Sequence, residues 1–189
     1  MVVTLLITVS LVLHNGYGLE RAFRSAFFQV ASLHTSCGFG TDDYNLWAPF
    51  TWVLFLYTMV AGGCTGSTSG GVKLMRVVIL LRNVKNEFNR LMHPRAVLPV
   101  KVNGQAVSQN TLATVATFVI LYLICVFVGW TLLVFMGLNL EDALGIVLSS
   151  MGNTGPGLES FGPAFSWNAL PDAAKWVLSF MMLIGRLEV

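Results

Sequence analysis

Charged residues are scarce in this sequence. Asp, Glu, Lys and Arg make up 11% of the 189 residues, whereas a soluble domain usually carries about 25%. Hydrophobic residues reach 55%, and the mean hydropathy is +0.72. This balance excludes an ordinary soluble domain and indicates a membrane protein, whose length is counted in spans of roughly 20 residues.

Cysteine and histidine are equally sparse. The three cysteines, Cys37, Cys64 and Cys125, form no CxxC pair, so neither a disulfide framework nor a zinc site is predicted. The three histidines are scattered, with no HExxH pattern and no Ser/His/Asp set at a recognisable spacing. An intramembrane enzyme is therefore the weaker of the alternative functions, although it stays open here.

The basic residues concentrate in one polar segment. Residues 73–101 hold seven of the 11 Lys and Arg residues, and segments rich in these residues stay on the cytoplasmic side of a membrane. We therefore expect residues 82–107 to form a cytoplasmic linker. No series of aromatic residues alternates with its charges, so nucleic-acid binding is not expected. Residues 139–172 carry acidic side chains and no Lys or Arg, which predicts an outer mouth that attracts cations.

The apolar stretches follow one order twice: a spanning helix, a short helix, a loop with glycine and a second spanning helix. The first copy, residues 1–81, has an outer helix at 1–14, a pore helix at 22–34, a filter loop at 35–39 and an inner helix at 46–81. The second copy, residues 108–189, has these elements at 108–136, 142–151, 152–156 and 171–189. At an offset of 117 residues Gly38 meets Gly155, and at an offset of 122 Pro49 meets Pro171. Such repeats imply pseudo-symmetry, with the functional site at its axis.

The two filter loops are candidate ion-binding segments. Extended backbone after a short pore helix can aim carbonyl oxygens at an axis, and rings of carbonyls replace the water shell of a potassium ion. Neither loop contains a carboxylate, which argues against a divalent cation. A ring of carbonyls around an ion needs four such quadrants, and two repeats supply two of them. Either two more repeats precede residue 1 or two chains assemble. The predicted filter residues are Thr35, Ser36, Cys37, Gly38, Phe39, Asn153, Thr154, Gly155 and Pro156.

A glycine-rich break interrupts the first inner helix at residues 62–71. Each glycine inside a helix costs about 1 kcal/mol relative to alanine, and unpaired backbone is not tolerated against lipid. The break must therefore be buried in protein or line a water-filled cavity. The repeat places Arg186 at the same depth, where a charge normally faces a cavity or a partner. The predicted gate consists of Gly62, Gly63, Gly66, Gly70, Gly71 and Arg186.

Four motifs together resemble the Trk/Ktr/HKT superfamily. They are Thr-Ser-Cys-Gly-Phe-Gly-Thr at 35–41, Ala-Gly-Gly-Cys-Thr-Gly-Ser-Thr-Ser-Gly-Gly-Val-Lys at 61–73, Gly-Asn-Thr-Gly-Pro-Gly at 152–157 and Ile-Gly-Arg-Leu-Glu at 184–188. The nearest likeness is to the membrane subunit of bacterial potassium uptake. The resemblance implies an all-α membrane protein whose two helix–pore loop–helix repeats are the third and fourth of four, half of a pseudo-fourfold potassium-channel-like pore.

The resemblance also implies a function and partners. The family's filter glycines fall on Gly38 and Gly155, so the transported ion would be K+, with no organic cofactor. In the family, the loop and the arginine that match 62–71 and Arg186 are thought to form the gate. The implied partners are membrane lipid, the N-terminal half of the same protein, a second copy in a homodimer and a cytosolic ring of RCK-type nucleotide-binding subunits. The implied location is the bacterial inner membrane, with several spans. A non-conducting fragment or an accessory membrane subunit is the other alternative.

Overall fold

The described part of the chain is mostly α-helical. The computed structural model describes residues 1–64, 66–67, 69–92, 99–102 and 105–187. Its helices are α1 (Val2–Asn15), α2 (Leu19–His34), α3 (Pro49–Ala61), α4 (Leu74–Met92), α5 (Gln109–Phe135), α6 (Leu140–Gly152) and α7 (Asp172–Leu187). Between α4 and α5, strand β1 (Lys101–Val102) pairs antiparallel with β2 (Gln105–Ala106).

Helix α5 is the long apolar helix that the sequence predicts. Among the described residues it alone is long and apolar enough to cross a membrane by itself. It begins where the Ser108 hydroxyl oxygen accepts a hydrogen bond from the Thr111 N–H, which satisfies one of the unpaired donors of a helix N-terminus. Its 27 residues correspond to about 40 Å of helical rise.

The short helices α2 and α6 are the centres of two hydrophobic cores. Helix α6 is buried along nearly its whole length, from Asp142 to Gly152, and packs against α5, α7 and α3. Helix α2 buries one face, which includes Ala22, Ala26 and Leu33, against α1 and α3. Leu158 lies beyond α6 yet packs into the core around α2, so the two halves share apolar contacts.

The inner helix of the first half is interrupted, as the glycines predict. Helix α3 ends at Ala61 because Gly62 adopts a φ of 61°, a left-handed conformation in which glycine carries no steric penalty. Helix α4 begins again at Leu74. In the structure the break therefore covers residues 62–73, two residues more than the predicted 62–71; Thr65 and Thr68 within it lie outside the described residues.

Helix α4 is longer than the sequence analysis predicts. It continues to Met92, whereas the apolar pattern placed its end at Leu81 and the start of a cytoplasmic linker at Arg82. Apolar residues recur there at helical spacing, at Val84, Phe88 and Leu91, and this period sustains a helix despite the charges between them. Of the remaining linker, residues 93–98 and 103–104 lie outside the described residues, as do 188 and 189 at the end of the predicted inner helix.

Candidate functional site

The two filter loops leave their short helices through equivalent hydrogen bonds. After α2, the Cys37 N–H donates to the Ser32 carbonyl at 2.9 Å. After α6, the Thr154 N–H donates to the Ser149 carbonyl at 3.0 Å. Donors and acceptors are each 117 residues apart, the same offset that aligns the loop glycines.

The backbone angles of the two loops correspond as well. Ser36 and Asn153, the equivalent non-glycine residues, have φ values of 58° and 52°. Gly38 and Gly155 have φ values of 76° and 100°. A left-handed conformation costs an ordinary L-residue about 1–2 kcal/mol, whereas glycine adopts it freely. The matching angles at Ser36 and Asn153 therefore indicate a shape that the surrounding packing enforces.

The loops lie against each other where the glycines occur. A Cβ added at Gly38 would overlap the carbonyl oxygen of Thr154 and lie 3.3 Å from Cδ of Pro156. A Cβ added at Gly155 would lie 4.0 Å from the Gly38 Cα. Glycine at position 38 is therefore required both by its φ angle and by the approach of the second loop.

Two side chains fasten the inner ends of the loops. The Ser36 hydroxyl donates to the Gly152 carbonyl at 2.9 Å and lies 2.8 Å from the Ser69 hydroxyl oxygen. The Asn153 amide donates to the Met182 carbonyl of α7 at 3.2 Å. The equivalent residues Ser36 and Asn153 are thus bonded to the break and to the inner helix α7, respectively.

Two further side chains fasten the outer side of the second loop to the first half. The hydroxyl of the fully buried Tyr44 donates to the Gly157 carbonyl. The Asn45 amide donates to the Glu159 carbonyl at 2.7 Å. These bonds span more than 110 residues of sequence and fasten the segment that follows the second loop to the first half of the chain.

The predicted gate glycines of the break differ in how closely neighbouring atoms approach them. A Cβ added at Gly70 would lie 2.7 Å from the Gly152 carbonyl oxygen, and one at Gly62 would lie 2.5 Å from the Gly70 carbonyl oxygen. At Gly63 it would lie 2.8 Å from the Ser67 hydroxyl oxygen. Gly66 differs, since no atom of the described residues lies within 4 Å of an added Cβ. The break therefore packs tightly at its ends and faces open space near its middle.

The end of α7 lies beside the break. Gly71 and Gly185 line one small cavity together with Tyr122 and Met151. A Cβ at Gly185 would overlap the Met151 carbonyl oxygen, so α7 meets α6 backbone to backbone. Arg186 directly follows this contact, and its side chain is exposed. Among the filter residues, Thr35, Cys37 and Phe39 also have exposed side chains.

An acidic group lies at the outer end of the second half. The Asp142 carboxylate is 4% exposed and accepts a hydrogen bond from the Ser160 N–H at 3.1 Å. The pKa of Glu159 is raised, mainly by a side-chain hydrogen bond to Glu141, then by burial and by repulsion from Glu141 and Asp142. In the described ranges, no group of three His, Cys, Asp or Glu side chains is arranged to hold a metal ion.

Sequence reasoning missed Ser69 and Tyr44 as parts of this site. Ser69 was hidden among the hydroxyl residues of the break, and its partner Ser36 is 33 residues away. Tyr44 lies in a polar stretch between two predicted helices, and its acceptor is 113 residues away. A tyrosine beside Asp42 and Asp43 gives no signal of burial, so neither contact could be inferred without the fold.

Comparisons with known proteins point to one family. Residues 2–189 match the family model described as "TrkH: Cation transport protein". The chain is 36% identical over 189 residues to the Trk system potassium uptake protein TrkH of Escherichia coli K12. It is 36% identical over 187 residues to TrkG of the same strain and 39% identical over 168 residues to TrkH of Vibrio parahaemolyticus.

A solved structure agrees with the fold. The crystal structure of the potassium transporter TrkH from Vibrio parahaemolyticus superposes with a TM-score of 0.90 at 37% identity, covering 99% of this chain. The chain spans 40% of that protein and 39% of the Escherichia coli relative.

Proposed function

The chain belongs to the TrkH family of cation transport proteins, and from this membership we propose that it forms part of a membrane pore for potassium uptake. The relatives described above are named as potassium uptake proteins, which supports K+ as the transported ion. One observation supports the proposal most: two loops with equivalent hydrogen bonds and φ angles meet at Gly38 and Thr154. The family description supports transport over the enzyme alternative.

In this proposal the two loops are half of a selectivity filter. The backbone carbonyls of residues 35–39 and 153–156 replace the hydration shell of K+. Gly38 and Gly155 give the loops their left-handed turns, and a carbonyl ring needs no anionic side chain. Two further repeats of the same kind complete the ring, which makes the chain the third and fourth repeats of a pseudo-fourfold pore.

The proposed pore also has a location and a set of partners. The protein is a multi-pass component of the bacterial inner membrane, surrounded by lipid, and works with the N-terminal half that carries the other two repeats. Its partners are a second copy of the protein, in a homodimer, and a cytosolic ring of RCK-type nucleotide-binding subunits. The basic residues of α4, among them Arg82 and Lys85, support a cytoplasmic location for this side of the protein, by the positive-inside rule.

We assign the gate to the break and to Arg186. Gly70 lies against the carbonyl end of α6, and Gly71 lines the same cavity as Gly185, so the break closes the space on the inner side of the filter loops. Arg186 follows Gly185 at this level, and a guanidinium there raises an electrostatic barrier to cations. Its five donors suit hydrogen bonds to carbonyls freed by the break.

The test is K+ flux in liposomes that contain the complete transporter. We expect Arg186→Ala, and separately a shortening of residues 66–70, to raise the flux because each removes part of the barrier. Lys175→Ala, at the outer end of α7 and paired with Asp172 at 3.0 Å, is a matched loss of one cation away from the break. Unchanged flux in both gate variants would sink the gate assignment. Absence of K+ flux in the parent transporter would favour the non-conducting or accessory subunit instead.

A further inference from the structure

We propose that Ser69 and Ser36 act as positioning residues, through which the break sets the geometry of both filter loops. The inference rests on the proposed function, in which the break is the gate and the loops are the filter. It adds that the two are connected by a defined chain of hydrogen bonds. Opening the gate then changes how well the filter discriminates between ions.

Ser69 lies at the centre of a cluster of polar atoms within the break. Its side chain is nearly buried, at 7% exposure. The hydroxyl oxygen lies 2.8 Å from the Ser36 hydroxyl and accepts from the Gly63 N–H at 3.3 Å. It also lies 3.3 Å from the Gly70 carbonyl oxygen. The hydroxyl thus connects the beginning of the break, the end of the break and the first filter loop.

The number of available protons determines which group donates each hydrogen bond in this cluster. A serine hydroxyl has one proton to donate, and Ser36 donates its proton to the Gly152 carbonyl at 2.9 Å. In the contact between the two hydroxyls, Ser36 must therefore be the acceptor. The Ser69 proton goes to Ser36 at 2.8 Å rather than to the Gly70 carbonyl at 3.3 Å, and the bonds run from the Gly63 N–H through both hydroxyls to Gly152. Hydrogen bonds in such a series strengthen one another at low dielectric.

The last two members of this series, Ser36 and Gly152, are at positions that control the filter loops. Ser36 is the second residue after α2, has a φ of 58° and comes two residues before Gly38. Gly152 is the last residue of α6 and precedes Asn153, whose φ is 52°. Displacing Ser69 therefore removes a restraint from the left-handed turn of the first loop and from the carbonyl that begins the second.

Packing decides in which direction the break can move. A Cβ at Gly70 would lie 2.7 Å from the Gly152 carbonyl oxygen, so the break has no room to move closer to α6. Movement that opens the break must go away from α6. The same movement lengthens the contact between Ser69 and Ser36, so the gate cannot open without releasing the loops.

The second loop has an additional restraint that does not depend on the break. The Asn153 amide donates to the Met182 carbonyl of the continuous helix α7. Release of Ser69 therefore affects the first loop more strongly than the second. We expect the filter to lose selectivity when the link is cut, while it still conducts.

The experiment is a double-mutant cycle on Ser36→Ala and Ser69→Ala, made in the complete transporter and reconstituted in liposomes. The quantity measured is the ratio of K+ flux to Na+ flux. A hydrogen bond of this kind corresponds to about a two- to tenfold change in an equilibrium constant. We expect each single variant to lower the ratio by about that factor, and the double variant to lower it no further than the larger single effect.

Two further variants separate the hydrogen bond from packing. Ser69→Cys keeps a side chain of similar size but offers only a weak donor, so it should behave like Ser69→Ala if the bond matters and like the parent if only volume matters. Ser179→Ala removes a hydroxyl whose bond stays within α7, to the Lys175 carbonyl, and should leave the ratio unchanged.

The outcomes distinguish this link from the proposed function. Unchanged ratios in both single variants, or effects that multiply in the double variant, would overturn the link. If these results appear while Arg186→Ala and the shortened break still raise flux, the gate stands and only the link fails. If the gate variants do not change flux, the gate assignment fails, and absence of K+ flux in the parent transporter would contradict the proposed pore itself.

Discussion

Gly38 and Thr154 meet across the two halves of the chain without room for a side chain. A Cβ at Gly38 would overlap the Thr154 carbonyl oxygen, and the φ of 76° at Gly38 already disfavours any other residue. The two filter loops therefore constrain each other directly. Any change at Gly38 is transmitted to a backbone carbonyl that we assign to the ion.

Gly38→Ala should reduce K+ flux by about tenfold or more, because the new methyl group displaces the Thr154 carbonyl and 1.4 kcal/mol of lost coordination is already a factor of ten. The measurement is K+ flux in liposomes containing the complete transporter. Gly137→Ala is the matched control: Gly137 also has a positive φ, 94°, but no atom of the described residues lies within 4 Å of an added Cβ. Equal losses of flux in the two variants would show that backbone strain, not the contact, is responsible.

Tyr44→Phe should lower the free energy of unfolding by about 1–3 kcal/mol, because it leaves the buried Gly157 carbonyl without its hydrogen-bond donor. Thermal unfolding in detergent measures the change. Tyr57→Phe is the control, since Tyr57 is exposed on α3 and its substitution should have little effect. A Tyr44→Phe protein as stable as the parent would contradict the assigned bond.

The same tyrosine predicts a loss of stability at high pH. Burial, and then repulsion from Asp43, raises the pKa of Tyr44 well above its usual range. In the unfolded chain the hydroxyl ionises near pH 10, so its contribution is complete below that pH and decreases as the pH rises further. The difference in unfolding temperature between the parent and Tyr44→Phe should therefore shrink from pH 8 to pH 11. A constant difference would argue that the hydroxyl titrates as freely in the folded state as in the unfolded chain.

Glu159→Gln should raise the unfolding temperature at pH 7 and leave it unchanged at pH 4. A hydrogen bond to Glu141, burial and neighbouring carboxylates raise the pKa of Glu159, so the folded state resists its ionisation. The resulting cost is absent below the unfolded pKa of about 4.3 and develops as the pH rises through the folded value. Stabilisation of equal size at both pH values would mean that charge is not the cause.

Phe118→Leu should destabilise the contact between α4 and α5 by about 0.5–2 kcal/mol. The Arg76 guanidinium carbon lies 3.9 Å from the centroid of the Phe118 ring, and leucine offers no aromatic face to the cation. Thermal unfolding in detergent is again the measurement. Phe135→Leu on the same helix is the control, because Phe135 is 90% exposed. Equal effects from the two substitutions would refute a cation–π contribution.

Sequence patterns predict the elements of this fold better than their contacts. Helix α5 follows from its uninterrupted apolar run, and the turns at Gly38 and Gly155 follow from residues that tolerate positive φ. The predicted end of α4 was wrong. The charged residues Arg82 and Lys85 were interpreted as the start of a linker, although apolar residues continue at helical spacing through this segment.

The contacts that organise the site could not be predicted for a physical reason. The Ser36–Ser69 and Tyr44–Gly157 bonds join residues 33 and 113 positions apart. Nothing in the local sequence distinguishes these hydroxyls from those that bond within their own helix, such as that of Ser179. Only the packing of α6 against the break and against the outer loops brings the partners together.

The backbone contact between Gly185 and Met151 has a consequence for how movement is distributed. Together with the Asn153–Met182 bond, it fastens α7 to α6 at two points, so these two helices can shift only as one rigid body. In the first half the break divides α3 from α4, and at Gly66 no atom of the described residues lies within 4 Å of an added Cβ. Of the two quarters of the proposed pore that this chain supplies, movement would then be concentrated in the one that carries the break.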